Sequence, residues 1–216
     1  KILWNCYKAS CRISGARKIR VTVEDIRERL VPQSKHKDDT FIMPEWIVYG
    51  GNRTEIGNFV RDWGLDPTEL FYDVKERRVV FPVKDNGVIV DAVGRSLGYR
   101  LPKWKRYGKN DLPFTYGCGK IAVVVEDCVS ASVVGNDVYL GVAVLGTSLS
   151  ESHKKYLSQF STAIIALDPD ALPKTLSIAK DLRDVVDTVK VLRLQDDLKY
   201  GNEEDFLKLT NLTPKE

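Results

Sequence analysis

Residues 120–127 read Lys120-Ile121-Ala122-Val123-Val124-Val125-Glu126-Asp127. β-Branched side chains suit an extended backbone, and an unbroken apolar run this short suits a strand buried on both faces. Two acids close the run. The pattern recurs downstream. Val138–Leu145 is a second apolar run, closed by Gly146. Thr162–Leu167 is a third and ends at Asp168. Val189–Leu194 is a fourth, followed closely by Asp196 and Asp197. Between these runs the period changes. Asp127–Val134 reads as a short helix, and Ser150 caps a helix through Phe160. From Asp170 to Thr188, Leu172, Leu176, Ile178, Ala179, Leu182, Val185 and Val186 keep helical spacing, with Pro173 in the first turn. Glu203–Leu209 reads as a last short helix. Strands alternating with amphipathic helices predict an α/β fold: a parallel sheet with helices on both faces.

The half before residue 118 is less regular and predicts a smaller α+β subdomain. Val21–Leu30 reads as a helix capped by Thr22, and Arg53–Trp63 as another ended by Gly64. Arg77–Val83 and Val88–Val93 flank Asn86-Gly87, a strong hairpin signal. Residues 98–118, rich in Gly, Pro and aromatics, read as loop. The expected organisation is a tail over 1–20, an N-terminal subdomain over 21–118 and a catalytic domain over 119–216.

The 216 residues carry a net charge of +3 with 43% hydrophobic and 29% charged side chains, an ordinary globular composition. No apolar run reaches the roughly 20 residues a bilayer demands, no signal peptide opens the chain, and no membrane partner is expected. Four cysteines without a secretory signal suit reduced thiols and a cytoplasmic setting. The chain begins with Lys1, so a fragment of a longer protein is expected. Hydrolase-triad, P-loop and dinucleotide fingerprints are lacking.

Charge is segregated. Residues 1–37 hold 10 Lys/Arg against 3 acids, 38–70 hold 2 against 7, 71–109 hold 10 against 4, and 121–216 hold 10 against 15. From Arg95 to Lys109 six cations run without an acid. Either these are solvated surfaces, or basic segments hold a polyanion beside an acidic centre.

In a parallel sheet, ligands sit beyond the carboxyl ends of the strands. Glu126 and Asp127, Asp168 and Asp170, and Asp196 and Asp197 all lie there. Clustered carboxylates repel, and a hard divalent cation relieves that repulsion through oxygen ligands. The alternative is that such acids cap the following helices, Asp168 or Asp170 among them.

The sequences Val123-Val124-Val125-Glu126-Asp127, Gly146-Thr147-Ser148-Leu149-Ser150 and Ala166-Leu167-Asp168-Pro169-Asp170-Ala171 together resemble the Toprim domain of primases, topoisomerases and some nucleases. The resemblance covers roughly residues 119–210. It departs at Asp127, where the family usually has Gly. Upstream, residues 80–87 (Val80 to Gly87), Val93-Gly94-Arg95-Ser96-Leu97 and Pro102-Lys103-Trp104-Lys105-Arg106-Tyr107 resemble the N-terminal subdomain of phage-type DNA primases, often fused to a helicase. The resemblance implies a primase, a DNA-directed RNA polymerase that joins ribonucleoside triphosphates on a single-stranded DNA template during phage DNA replication. A replicative helicase is the implied partner, and the bacterial host's cytoplasm the implied location.

It further implies Mg²⁺ or Mn²⁺ at Glu126, Asp168 and Asp170, the catalytic set, with Asp197 or Asp196 as a further ligand. Arg95, Lys103, Lys105 and Arg106 would meet triphosphate or DNA backbone, and Trp104 and Tyr107 would offer stacking faces. Cys6 and Cys11 resemble half of a zinc ribbon. Structural Zn²⁺ needs four ligands, so that metal is expected only with a further N-terminal segment. His153 reads as a surface or helix histidine. Two other functions remain open: a Toprim nuclease in which the same cluster activates water, and a non-catalytic nucleic-acid-binding module.

Overall fold

The short apolar run at 121–125 sits at the middle of a five-stranded sheet. The computed structural model describes residues 2–5, 14–17, 40–145 and 149–213. Residues 1–40 and 41–216 form separate compact units. In the first, β1 (Ile2–Asn5) pairs antiparallel with β2 (Ser14–Arg17).

The second unit contains two five-stranded sheets. The antiparallel one runs β3-β4-β5-β6-β7: β3 (Ile47–Tyr49), β4 (Phe71–Asp73), β5 (Arg78–Asp85), β6 (Val88–Ser96) and β7 (Trp104–Arg106). The predicted hairpin is its centre. Asn86 and Gly87 take φ of 48° and 82°, the left-handed pair that matches strand twist in a tight turn. Helix α1 (Thr54–Trp63) ends where Gly64, at φ 60°, turns the chain back.

The other sheet has the order β12-β11-β9-β10-β8. Its parallel strands are β9 (Ile121–Val125), β10 (Tyr139–Ala143), β11 (Thr162–Ile165) and β12 (Thr188–Val191). Strand β8 (Phe114–Tyr116) joins the edge antiparallel to β10. Four helices follow the order read from the sequence: α2 (Cys128–Val134), α3 (Glu151–Leu157), α4 (Leu172–Leu182) and α5 (Glu203–Leu212).

The apolar run is two-faced because successive strand residues point to opposite sides. Ala122 and Val124 face a core with Leu157 of α3 and Ile178, Ala179 and Leu182 of α4. Val123 and Val125 face a core with Val129 and Val134 of α2 and Leu209 of α5, and that core continues into Ile56, Val79, Phe81 and Val93 of the antiparallel half. Phe81 and Phe114 meet edge-on at 5.5 Å between ring centres. Helix α2 lies so close on β10 that a Cβ at Gly141 would come within 2.1 Å of the Ala131 carbonyl oxygen.

Two expectations need correction. Residues 98–118 are not only loop: they hold β7 and β8, strands too short for a periodicity argument. A boundary near 118 would also cut β8 from the parallel sheet it completes. The expected helix at Val21–Leu30 lies outside the described residues. No helix among those described is long and apolar enough to cross a membrane.

Candidate active site

The acids at the strand ends have different local duties. Asp127 caps α2, with Oδ1 accepting from Val129 N–H at 2.9 Å and Ser130 N–H at 3.0 Å. That gives a side chain where the resembling family has Gly a structural task of its own. Asp168 and Asp170 do not cap α4. Its N-cap is Ala171, with no side-chain cap bond. Their carboxylates are therefore not consumed by the helix end, and the alternative of capping acids falls for this pair.

Glu126, just beyond β9, is half-buried and accepts from Lys174 Nζ at 2.9 Å. Asp168 is half-buried and Asp170 exposed. Burial raises the Asp168 carboxyl above its ordinary value, and Glu126 adds to the rise; Lys199 pulls the other way, while Asp127 and Asp170 push it further up. The carboxylates brought from the ends of β9 and β11 thus act on one another through space, as clustered like charges do.

Asp197 is buried and spent on local structure. It caps the 3₁₀ turn Leu198–Tyr200, accepts from Ser130 Oγ at 2.8 Å, and pairs with Lys199. Lys199 also reaches Asp127 Oδ2 at 3.6 Å, so one ammonium bridges the start of α2 and the segment after β12. Asp196 is exposed, and its Oδ1 accepts from Asp197 N–H at 2.8 Å. Behind both, fully buried Asp205 accepts from Gln195 N–H at 2.9 Å and Asp196 N–H at 3.1 Å, fixing the loop from α5.

The donor chemistry fits a hard divalent cation: Glu126, Asp168 and Asp170 offer oxygen ligands only, and they repel one another. The cluster is not a finished cage. Among the described residues, no group of three or more His, Cys, Asp or Glu side chains could hold an ion as it stands. Ammonium groups of Lys174 and Lys199 supply the compensating charge. Sequence reasoning missed both lysines and Asp205. The available signal was position: Lys174 falls in the first turn of the helix after the acids, and Lys199 two residues after Asp197.

The basic residues of the other half also divide. Lys105 Nζ donates to Glu76 Oε1 at 2.5 Å. Arg106 Nε donates to fully buried Asp91 at 2.8 Å, and its Nη2 to the Leu112 carbonyl at 2.6 Å. Tyr107 Oη donates to Asp73 Oδ2 at 2.6 Å, and Trp104 packs 5.9 Å from the Phe81 ring. These four hold the sheet together. Arg95 is different. Its guanidinium lies between the rings of Phe59, at 5.8 Å, and Trp104, at 5.2 Å, and its Nη1 has no partner among the described residues. Lys103 is exposed.

Cys128, at the start of α2, links the halves. Burial pushes its thiol well up and Asp127 adds to this, while Arg106 and Arg95 pull against it. Two cations of the antiparallel sheet are therefore within electrostatic reach of the helix that follows Glu126. His153 lies in helix α3, one of the two placements expected for it, and is buried there. It closes a capping box in which Nδ1 accepts from Ser150 N–H at 3.3 Å. Its Nε2 has no partner among the described residues, and burial lowers its pKa. Cys6, Cys11 and Gly146–Ser148 lie outside the described residues.

The second unit is thus a parallel sheet flanked by helices, with acids at its strand ends, together with an antiparallel sheet. Among solved structures, the chain is similar to the primase fragment of the Bacteriophage T7 primase-helicase, at 18% identity and a TM-score of 0.51, covering 81% of each chain. It also matches the DnaG catalytic core at 21% identity and a TM-score of 0.49, covering 75% of this chain and 61% of that one. A DNA primase domain from Pseudomonas aeruginosa matches at 23% identity and a TM-score of 0.48, covering 72% of this chain and 58% of that one. The chain thus spans less than two thirds of the DnaG core's length. No protein-family model and no curated protein matches it.

Proposed function

We propose that this chain is the catalytic core of a DNA primase that joins ribonucleotides on single-stranded DNA. The observation that carries the reading is that Glu126 and Asp168 leave the carboxyl ends of the adjacent parallel strands β9 and β11, where burial and then Glu126 raise the Asp168 carboxyl. Neighbouring carboxylates at such strand ends suit a divalent cation. The fold shared with the T7 primase fragment supports the same reading.

In this reading Glu126, Asp168 and Asp170 hold Mg²⁺ or Mn²⁺. The ion supplies neutralisation of the charge that builds on the phosphate under attack. Asp196, exposed after β12, is the freer of its pair to add a ligand, because Asp197 is committed to Ser130 and Lys199. The reaction joins a 3′-hydroxyl oxygen to the α-phosphorus of a triphosphate and breaks the bond to the β-phosphate. Pyrophosphate leaves, and the hydroxyl proton passes to solvent. Arg95 and Lys103 meet phosphate charge; Lys105, Arg106, Trp104 and Tyr107 frame the sheet that carries them. The helicase and DNA template named for the neighbours are partners in this proposal, and a zinc ribbon containing Cys6 and Cys11 belongs to it only with further ligands.

Primer synthesis tests it. The chain is incubated with single-stranded DNA, ribonucleoside triphosphates and Mg²⁺ or Mn²⁺. Short RNA products that vanish with Asp168→Asn support a primase. Metal-dependent cleavage of DNA or RNA without synthesis selects the nuclease reading. Binding with neither activity selects the non-catalytic module.

A further inference from the structure

Helix α3 opens on a capping box whose reciprocal acceptor is a titratable ring. Ser150 Oγ accepts from His153 N–H at 3.1 Å, and His153 Nδ1 accepts from Ser150 N–H at 3.3 Å. The second role ordinarily falls to Glu or Gln. An accepting Nδ1 places the ring's proton on Nε2, so the box needs the neutral imidazole. A second proton would sit on Nδ1 and point at the Ser150 N–H, donor against donor.

The surroundings also refuse the charge. His153 is 3% exposed, and among the described residues neither ring nitrogen meets an acceptor that would stabilise an imidazolium. Burial is the main cause of its lowered pKa; Asp111, exposed between β7 and β8, pulls it up, and Arg106 of β7 pushes it down. On α3 itself, Glu151 and Lys154 pair at 2.9 Å, and Lys155 is exposed. The connection from β10 to α3 is therefore held at one end by a histidine. At its other end Leu145 stands at φ 52°, a strained conformation for a residue with a Cβ, and its N–H donates to the Glu126 carbonyl at 3.2 Å. Such strain persists only where the surroundings hold it.

We propose that His153 is a positioning residue: its neutral ring latches the start of α3, keeps Leu145 on Glu126, and lets both go when the ring takes a second proton from solvent. The proposal rests on the reading of Glu126 as an ion ligand and adds a regulation of that site by pH. Folded, the ring binds its second proton less readily than in the unfolded chain. The latch is thus complete above the ordinary histidine value and weakens as pH falls below it. Glutamine at this position would hold the box at every pH; histidine makes the hold conditional.

The test follows the imidazole of the isotope-labelled whole chain by NMR between about pH 8 and pH 5. Amide exchange at Leu145 and His153 is read alongside, corrected for the intrinsic rate. The Ser96 N–H, bonded to the Lys103 carbonyl in the antiparallel sheet, is the reference. As the ring protonates, exchange at Leu145 and His153 is expected to rise about tenfold or more, with no matching rise at Ser96. His153→Gln keeps an acceptor for the Ser150 N–H but does not titrate, so the rise is expected to shrink below about twofold. Mn²⁺ affinity, read by calorimetry, is expected to fall further with pH in the parent than in His153→Gln. A ring that stays neutral to pH 5, or a variant that shows the parent's full rise, overturns the latch and leaves the primase reading standing. If His153→Gln does not fold, the parent decides: one shared midpoint for the ring and for Leu145 supports the latch, and separate midpoints overturn it. If the parent binds no Mn²⁺ at either pH, the ion reading and the role of the latch fall together.

Discussion

Lys174 Nζ and Glu126 Oε1 stand 2.9 Å apart, joining the first turn of α4 to the end of β9 with both side chains partly buried. A protein-borne cation thus occupies one carboxylate of the proposed ion site. Its removal leaves Glu126 with one counter-charge fewer and makes a divalent ion a better partner. Lys174→Met is expected to tighten Mn²⁺ binding severalfold, in line with a partly exposed pair worth up to about 1 kcal/mol. Calorimetric titration reads this; weaker binding would mean that Lys174 orients Glu126 for the ion.

Asp197 and Asp196 are expected to separate in stability. Asp197→Asn disturbs Ser130 and leaves Lys199 short of a counter-charge in a nearly buried place, at a cost of about 1–3 kcal/mol in denaturant unfolding. Asp196→Asn, at an exposed position, changes stability by less than about 0.5 kcal/mol. Equal losses would refute the division of labour between them.

The pH dependence follows from Glu76. Its carboxyl is lowered from 4.5 to about 2 by Lys105 and Arg78. A lowered carboxyl adds stability above its unfolded value and loses it as pH falls. The contribution is complete above about pH 5 and fades between 4.5 and 2. Glu76→Gln should therefore be less stable than the parent at pH 7, by roughly 1–2 kcal/mol. The two unfolding curves should converge toward pH 2. A constant gap across that range would contradict the assignment.

Asp205 carries a different kind of load. Its buried carboxylate takes the N–H groups of Gln195 and Asp196, so Asp205→Ala strips both of their shared partner. The expected loss is about 2–4 kcal/mol, with the segment from 195 to 200 the first to exchange its amide hydrogens.

The parallel sheet was legible because its first three parallel strands are apolar runs ended by Gly or an acid, with two acids close behind the fourth, and β9 needs apolar residues on both faces. In the antiparallel half the hairpin at Asn86-Gly87 and the helix ended by Gly64 were legible, because a positive φ demands particular residues there. Strands β3, β4, β7 and β8 have three residues each, fewer than a period of two can establish. At the site, the acids were visible as strand-end residues, but their duties were not. Asp127 and Asp197 became caps, whereas Asp168 did not, because capping depends on backbone angles at one residue. Position hinted at Lys174 and Lys199, but their reach to Glu126 and Asp127, like the commitment of Arg106 to Asp91, joins elements distant in the chain that no local pattern pairs.

The central claim is that acids from the ends of β9 and β11 jointly bind a divalent ion. Calorimetric titration of the whole chain with Mn²⁺, repeated on Asp168→Asn and Glu126→Gln, tests it most directly. Saturable binding by the parent, weakened about tenfold or more by either change, is the predicted result. A parent that binds no Mn²⁺, or variants that bind it as tightly as the parent, would contradict the account.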